Sequence, residues 1–221
     1  EYNDKMVYAA RRGREILYGD APEGINRYGK AEEIKSLKIE ELSKAWDEVL
    51  EKSRFEIFIL GDCDADSEIF AKAFTGYGKN HNLNRFKQID TQLKEVREEM
   101  ELSQSKLVMG FTTEMNYDNK YAYMLMSVVL GGTPSSKLFM NVREKLSLCY
   151  YCVSRLDRNT GVMFVESGVE RKNIKNAREA IINQIEDITN GKLTDDAIMP
   201  AKLYICNSYN AVLDSLQGIE F

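Results

Sequence analysis

The chain has 221 residues and a formal net charge of −5, from 30 Lys+Arg and 35 Asp+Glu. It has no basic stripe interleaved with aromatics, which argues against a nucleic-acid partner. Its 43% hydrophobic residues suffice for a core and argue against disorder, and no apolar run reaches membrane-spanning length, which argues against membrane insertion.

Taken in chain order, the first part predicts a helix over 4–18, a loop through Pro22 and Gly24, a helix over 39–51, a strand over 55–60 and a helix near 66–74. The loop Gly76-Tyr77-Gly78-Lys79-Asn80 and the polar residues to Asp90 form the natural linker, dividing the chain into 1–88 and 89–221. The second part opens on strands over 96–102 and 106–113, with Ser103-Gln104-Ser105 as a hairpin turn between them. The mixed charges of 94–101 read as a solvated face or a guarded strand edge. Helices follow over 118–130 and 134–146. Strands over 148–156 and 162–169 meet across Asp157-Arg158-Asn159-Thr160-Gly161, a run tolerant of unusual backbone angles. Two long helices close the chain, the first amphipathic through Ile174, Ala177, Ile181, Ile185 and Ile188. Hairpin-linked strands with helices on one side define an α+β class with a largely antiparallel sheet.

The most informative stretch runs from Gly131-Gly132-Thr133-Pro134 to Arg143-Glu144-Lys145-Leu146-Ser147-Leu148-Cys149-Tyr150. The glycine pair suits a left-handed helix stop, and Thr133-Pro134 suits a cap and first turn for the next helix. Arg143 then falls near a helix end and Tyr150 near a strand start, close enough to face a common surface. A guanidinium and a phenol are donors that can converge on the carbonyl oxygens of an extended peptide. The spacing fits equally an Arg paired with an acidic helix neighbour and a Tyr that only packs.

Other reactive residues carry weaker signals. The one histidine, His81, lies in a polar loop with no acidic residue at ligand spacing, so it reads as solvated. Cys149 and Cys152 have the spacing of a thiol redox motif. Such a motif wants a helix N-terminus, and strand positions three apart point to opposite faces, so these read as structural thiols. Cys63 and Cys206 have no partner at metal spacing, and four reduced thiols suit a cytoplasmic protein.

The run Gly131 to Leu138, continued by Arg143 to Tyr150, resembles the second-domain signature of the pitrilysin/insulinase-type (peptidase M16) metallopeptidases. Gly168-Val169, Leu193-Thr194-Asp195-Asp196 and Ala201-Lys202 extend the resemblance downstream, as do Gly29-Lys30-Ala31-Glu32-Glu33-Ile34 and Ile57-Phe58-Ile59-Leu60-Gly61-Asp62 upstream. The resemblance implies a LuxS/MPP-like metallohydrolase fold. Residues 1–88 would close the family's first domain, and 89–221 would form its second, inactive and substrate-binding domain, truncated at its end. Active members carry His-x-x-Glu-His; a single His cannot supply it. The implied protein is a non-catalytic half with no metal ligand or catalytic residue of its own. Zn2+ is then expected in a zinc-bearing homologous peptidase subunit or in a missing N-terminal region. Arg143 and Tyr150 would hold a peptide substrate beside that zinc, with Gly131 and Gly132 in the same binding loop. A non-proteolytic scaffold subunit and the distal part of an active single-chain enzyme are the alternatives.

Overall fold

The structure, a computed structural model, describes residues 4–62, 66–79, 92–212, 214, 215 and 218. His81 and Cys63 lie outside the described residues. The chain forms two compact units, Glu1–Asn26 with Arg85–Asn207, and Arg27–Asn84 with Ser208–Phe221. This division differs from the partition at residue 88 by placing the first helix with the sheet.

In the sheet unit, β1 (Ser105–Phe111), β2 (Cys149–Asp157) and β3 (Val162–Val169) form an antiparallel sheet ordered β1-β3-β2. The central strand explains its own sequence. Met163 and Val165 point to one face of β3 and join Leu130, Leu138, Val142, Cys152, Ala180 and Ile181 in one cluster, while Val162 and Phe164 join Tyr18 in another on the opposite face. A strand buried on both faces needs apolar residues at successive positions rather than in alternation.

Helices α5 (Lys120–Gly131) and α6 (Ile174–Thr189) supply the first cluster through Leu130, Ala180 and Ile181. Helix α1 (Lys5–Tyr18), capped by Asp4, whose carboxylate accepts from the amides of Met6 and Val7, covers the other face. Its approach is close. A Cβ on Gly13 would lie 2.5 Å from Val108 Cγ1, and one on Gly110 would collide with Leu17. The sheet is therefore covered on both faces, not on one side as its strand pattern alone suggested.

Beneath α1, the Tyr18 hydroxyl donates to Asp157 (3.1 Å) and shares a 2.7 Å hydrogen bond with Thr160, while Arg14 reaches Asp157 at 2.7 Å. Burial pushes the Asp157 carboxyl up, but Arg14, the Asn159 amide and Tyr18 together hold it below its ordinary value. Burial also pushes Tyr18 up to about 12.

Two expected strands do not form ladders. Residues 96–102 pair with no strand among the described residues, so there is no 96–113 hairpin. Their alternating charges fasten them by side chains instead: Glu98 accepts from Tyr8 (2.9 Å) and Arg12 (2.8 Å), Glu95 pairs with Arg178 (3.1 Å) and Glu99 with Arg171 (3.3 Å).

In the second unit, residues 55–60 likewise form no ladder with the described residues; a β-like sequence needs a second strand to satisfy its backbone. Helices α2 (Ala31–Ser36), α3 (Ile39–Lys52) and α4 (Ser67–Ala73) bury none of their described residues. Gly78 N–H donates to Leu50 O (2.8 Å), and the rings of Phe55 and Phe74 sit 5.4 Å apart. The last helix, α7, runs Asp195–Val212 with Pro200 inside it, and none of the described helices is long and apolar enough to cross a membrane.

Candidate functional site

Gly131 ends α5 against β2. A Cβ there would lie 2.5 Å from Ser154 N and 2.9 Å from Leu138 Cδ1, so the residue is glycine because helix and strand nearly touch. Gly132 has φ −91°, an ordinary right-handed value, which corrects the left-handed stop expected from the pair. Its lack of a side chain leaves room for Val128, whose Cα would be 2.8 Å from an added Cβ.

The next helix also differs from expectation. Residues 133–136 form a turn closed by Ser136 N–H donating to Thr133 O (3.0 Å), and the winding that follows, Leu138–Lys145, is π-helical. Leu146 N–H donates to Asn141 O at 3.1 Å, five residues back. Three anchors impose the wide turn. Leu138 and Val142 are fully buried, and Asn141 donates to Gln184 on α6 at 2.6 Å. Ser147 then takes a positive φ of 49° and turns the chain into β2. A π-turn inside helical structure is uncommon and concentrates at functional sites.

Arg143 projects from this winding. Its guanidinium lies 4.5 Å from the centroid of the Phe139 ring, and its Nε is 3.6 Å from Glu144. With 40% of its side chain exposed, its donors remain available to a ligand.

Tyr150 is placed by an irregularity in the sheet. Cys149 pairs with Val169 and Tyr151 with Gly168, so Tyr150 is the extra, unpaired residue of a β-bulge, a device that re-aims a side chain. The residue is 53% exposed. Nearby, the Glu170 carboxyl is held low by Lys172, 2.8 Å away.

The π-winding thus carries Arg143 and the bulge carries Tyr150, and the charge of Arg143 reaches the Cys149 thiol. No hydrogen bond among the described residues joins the Arg and the Tyr directly. Phe139 and Glu170 were not anticipated. Phe139 sits one helical turn before Arg143, which could have flagged it; Glu170 lies just past the end of β3.

The bulge also corrects the reading of the cysteines. With one extra residue between them, Cys149 and Cys152 face the same core cluster, not opposite sides. The neighbouring Cys152 thiol lowers the Cys149 thiol below its ordinary value, while Cys149 and burial push Cys152 up.

The donor set does not fit zinc. The sequence has one His, and no group of three His, Cys, Asp or Glu able to hold a metal occurs among the described residues.

Residues 36–202 match the model of the peptidase M16 inactive domain, and the chain belongs to the peptidase M16 family. It is 30% identical over 226 residues to the probable inactive metalloprotease YmfF of Bacillus subtilis, covering 99% of this chain and 53% of that protein. It is 22% identical over 202 residues to the uncharacterized zinc protease YmxG of the same organism, covering 90% and 49%. Among solved structures, a conserved protein from Enterococcus faecalis superposes with a TM-score of 0.86 at 27% identity, over 98% of this chain and 52% of that one. A peptidase M16 inactive domain from Pseudomonas fluorescens shares the fold, with a TM-score of 0.69 at 19% identity over 95% and 53%. The α+β architecture is that of the M16 fold, and the chain spans about half the length of these relatives.

Proposed function

We propose that this chain is the non-catalytic, peptide-binding half of a zinc metallopeptidase. The observation that carries the reading is the pairing of two local irregularities, a π-winding under Arg143 and a β-bulge at Tyr150, which hold two exposed hydrogen-bond donors next to a rigid core. Such irregularity costs backbone regularity and is kept where a side chain must be aimed. The match to an inactive M16 domain supports the assignment of hydrolysis to another part of the assembly.

In this reading Arg143 and Tyr150 donate to carbonyl oxygens of an extended peptide. The Phe139 ring keeps the guanidinium oriented. Gly131 and Gly132 take part by letting α5 and the π-winding close on β2. Orientation of this kind raises the rate of a reaction performed elsewhere, here on a zinc-bearing homologous subunit in the cytoplasm. Residues 1–88 and 89–221 would correspond to the end of one family domain and most of the next.

The test is reconstitution. The purified chain retains far less than one equivalent of zinc after dialysis and cleaves no peptide alone, whereas adding a zinc-bearing M16 homologue from the same cell yields a complex that does. Stoichiometric zinc with cleavage by this chain alone would overturn the reading. A stable complex whose hydrolysis is indifferent to this chain would replace it with a scaffold role.

A further inference from the structure

The bulge at Tyr150 brings together two thiols that a regular strand would separate. Cys149 stands opposite Val169 and Cys152 opposite Ser167, so three steps along β2 span the length of two along β3, about 6.4–6.8 Å at the usual strand rise. That is the upper edge of the Cα separation, about 4.4–6.8 Å, over which a disulfide closes. Cys152 is buried in the core cluster and Cys149 packs half-buried at its margin. Ser167, the β3 residue opposite Cys152, donates its hydroxyl to Tyr151 O at 2.8 Å.

We infer that Cys149 and Cys152 form a reversible, peroxide-responsive thiol pair, with Cys149 the attacking sulfur and Cys152 the resolving one. The partly exposed position of Cys149, with the charge of Arg143 acting on it, favours the thiolate that reacts. The Cys149 thiolate attacks one oxygen of hydrogen peroxide and breaks the O–O bond, giving a sulfenic acid; the departing hydroxide takes up the thiol's proton and leaves as water. The Cys152 sulfur then attacks the sulfenic sulfur. The S–S bond forms, the S–O bond breaks, and the hydroxyl leaves as a second water with the proton of Cys152. Two thiols are oxidised by two electrons and one peroxide is reduced to two waters. A bond closed at the long end of its range is readily reduced again by a dithiol.

The experiment treats the full chain with hydrogen peroxide, blocks remaining thiols by alkylation and follows the tryptic peptide 146–155, which holds both cysteines. The expected result is loss of the mass of two hydrogen atoms from that peptide, reversed by dithiothreitol. In C152S the loss is absent and Cys149 is labelled by a sulfenic-acid trap. Cys206, exposed and without a partner thiol among the described residues, is the internal comparison. Persistence of the dithiol while Cys206 oxidises, direct passage of Cys149 to sulfinic acid in the unmutated chain, or a bond formed only between chains would each overturn the proposal.

Discussion

The sheet unit and the unit built on residues 27–84 are made of similar residues and spend them differently. In the first, Leu130, Leu138, Val142, Val165 and Ile181 are almost wholly buried, and glycines at 13, 110 and 131 let backbones meet. In the second, α3 presents Ile39, Leu42, Trp46 and Val49 at helical spacing, all of them exposed, with Trp46 at 63%. The lesson is that apolar periodicity predicts a helix in both units but predicts a core only where something packs against the stripe. One unit carries its stability within itself; the other has helices held by caps and local pairs such as Lys38 N–H to Glu41 (2.8 Å).

The comparison can be pressed hardest in the core. Leu130→Ala removes a fully buried side chain and is expected to cost about 2–5 kcal/mol, read as a lower midpoint in urea with an unchanged slope. A loss under about 1 kcal/mol would mean that the cluster is loosely packed. Next in size, Gly131→Ala forces α5 off Ser154 and Leu138 and is expected to cost about 1–3 kcal/mol. The same change at the exposed, positive-φ Gly191, where an added Cβ meets nothing, tests backbone strain alone and serves as the control.

On the far face, Tyr18→Phe removes the hydroxyl shared by Asp157 and Thr160 and should cost about 1 kcal/mol. The pH dependence of this cluster has two limbs. The Asp157 carboxyl is lowered on folding, so its contribution is full above the ordinary carboxylate value and is lost as pH falls through the folded value. Tyr18 is raised from 10.0 to about 12, so its contribution is full below the phenol's ordinary value and disappears as pH rises through about 12. Acid and base unfolding of Asp157→Asn and Tyr18→Phe should each converge with the unmutated chain at one end only.

The smallest expected effect lies in the second unit. Trp46→Ala should change the stability of the chain by no more than about 0.5 kcal/mol, because its ring is largely solvated. As the single tryptophan, it also reports locally: its fluorescence transition should precede the loss of protected amides in β3. Coincident transitions would show that the two units unfold as one.

Much of the sheet unit was legible beforehand. The strand at Val162–Val169 and helices α1, α5 and α6 fall within two residues of expectation, because each pattern is decided locally. The errors share one cause. Strands at 55–60 and 96–102, the left-handed stop at Gly131-Gly132 and the opposed cysteines all depended on what lies across the gap: a pairing strand, Ser154, or the register of β3. The π-winding was hidden because Thr133-Pro134 carries an ordinary helix-start signal, while the buried anchors Leu138 and Val142 and the bond from Asn141 to Gln184 on α6 set the actual winding. Arg143 and Tyr150 stand out through the resemblance; the Phe139 ring beside Arg143 emerges from the geometry.

The peptide-binding role of that face is tested most directly by steady-state kinetics of Arg143→Ala and Tyr150→Phe in the complex reconstituted with the zinc-bearing homologue. Both variants should keep their melting temperature and their partner. If the donors act mainly in the transition state, kcat falls by roughly a hundredfold to a thousandfold; if they orient the bound peptide, KM rises with kcat little changed. Kinetics and melting temperature identical to the unmutated complex in both variants would contradict the account.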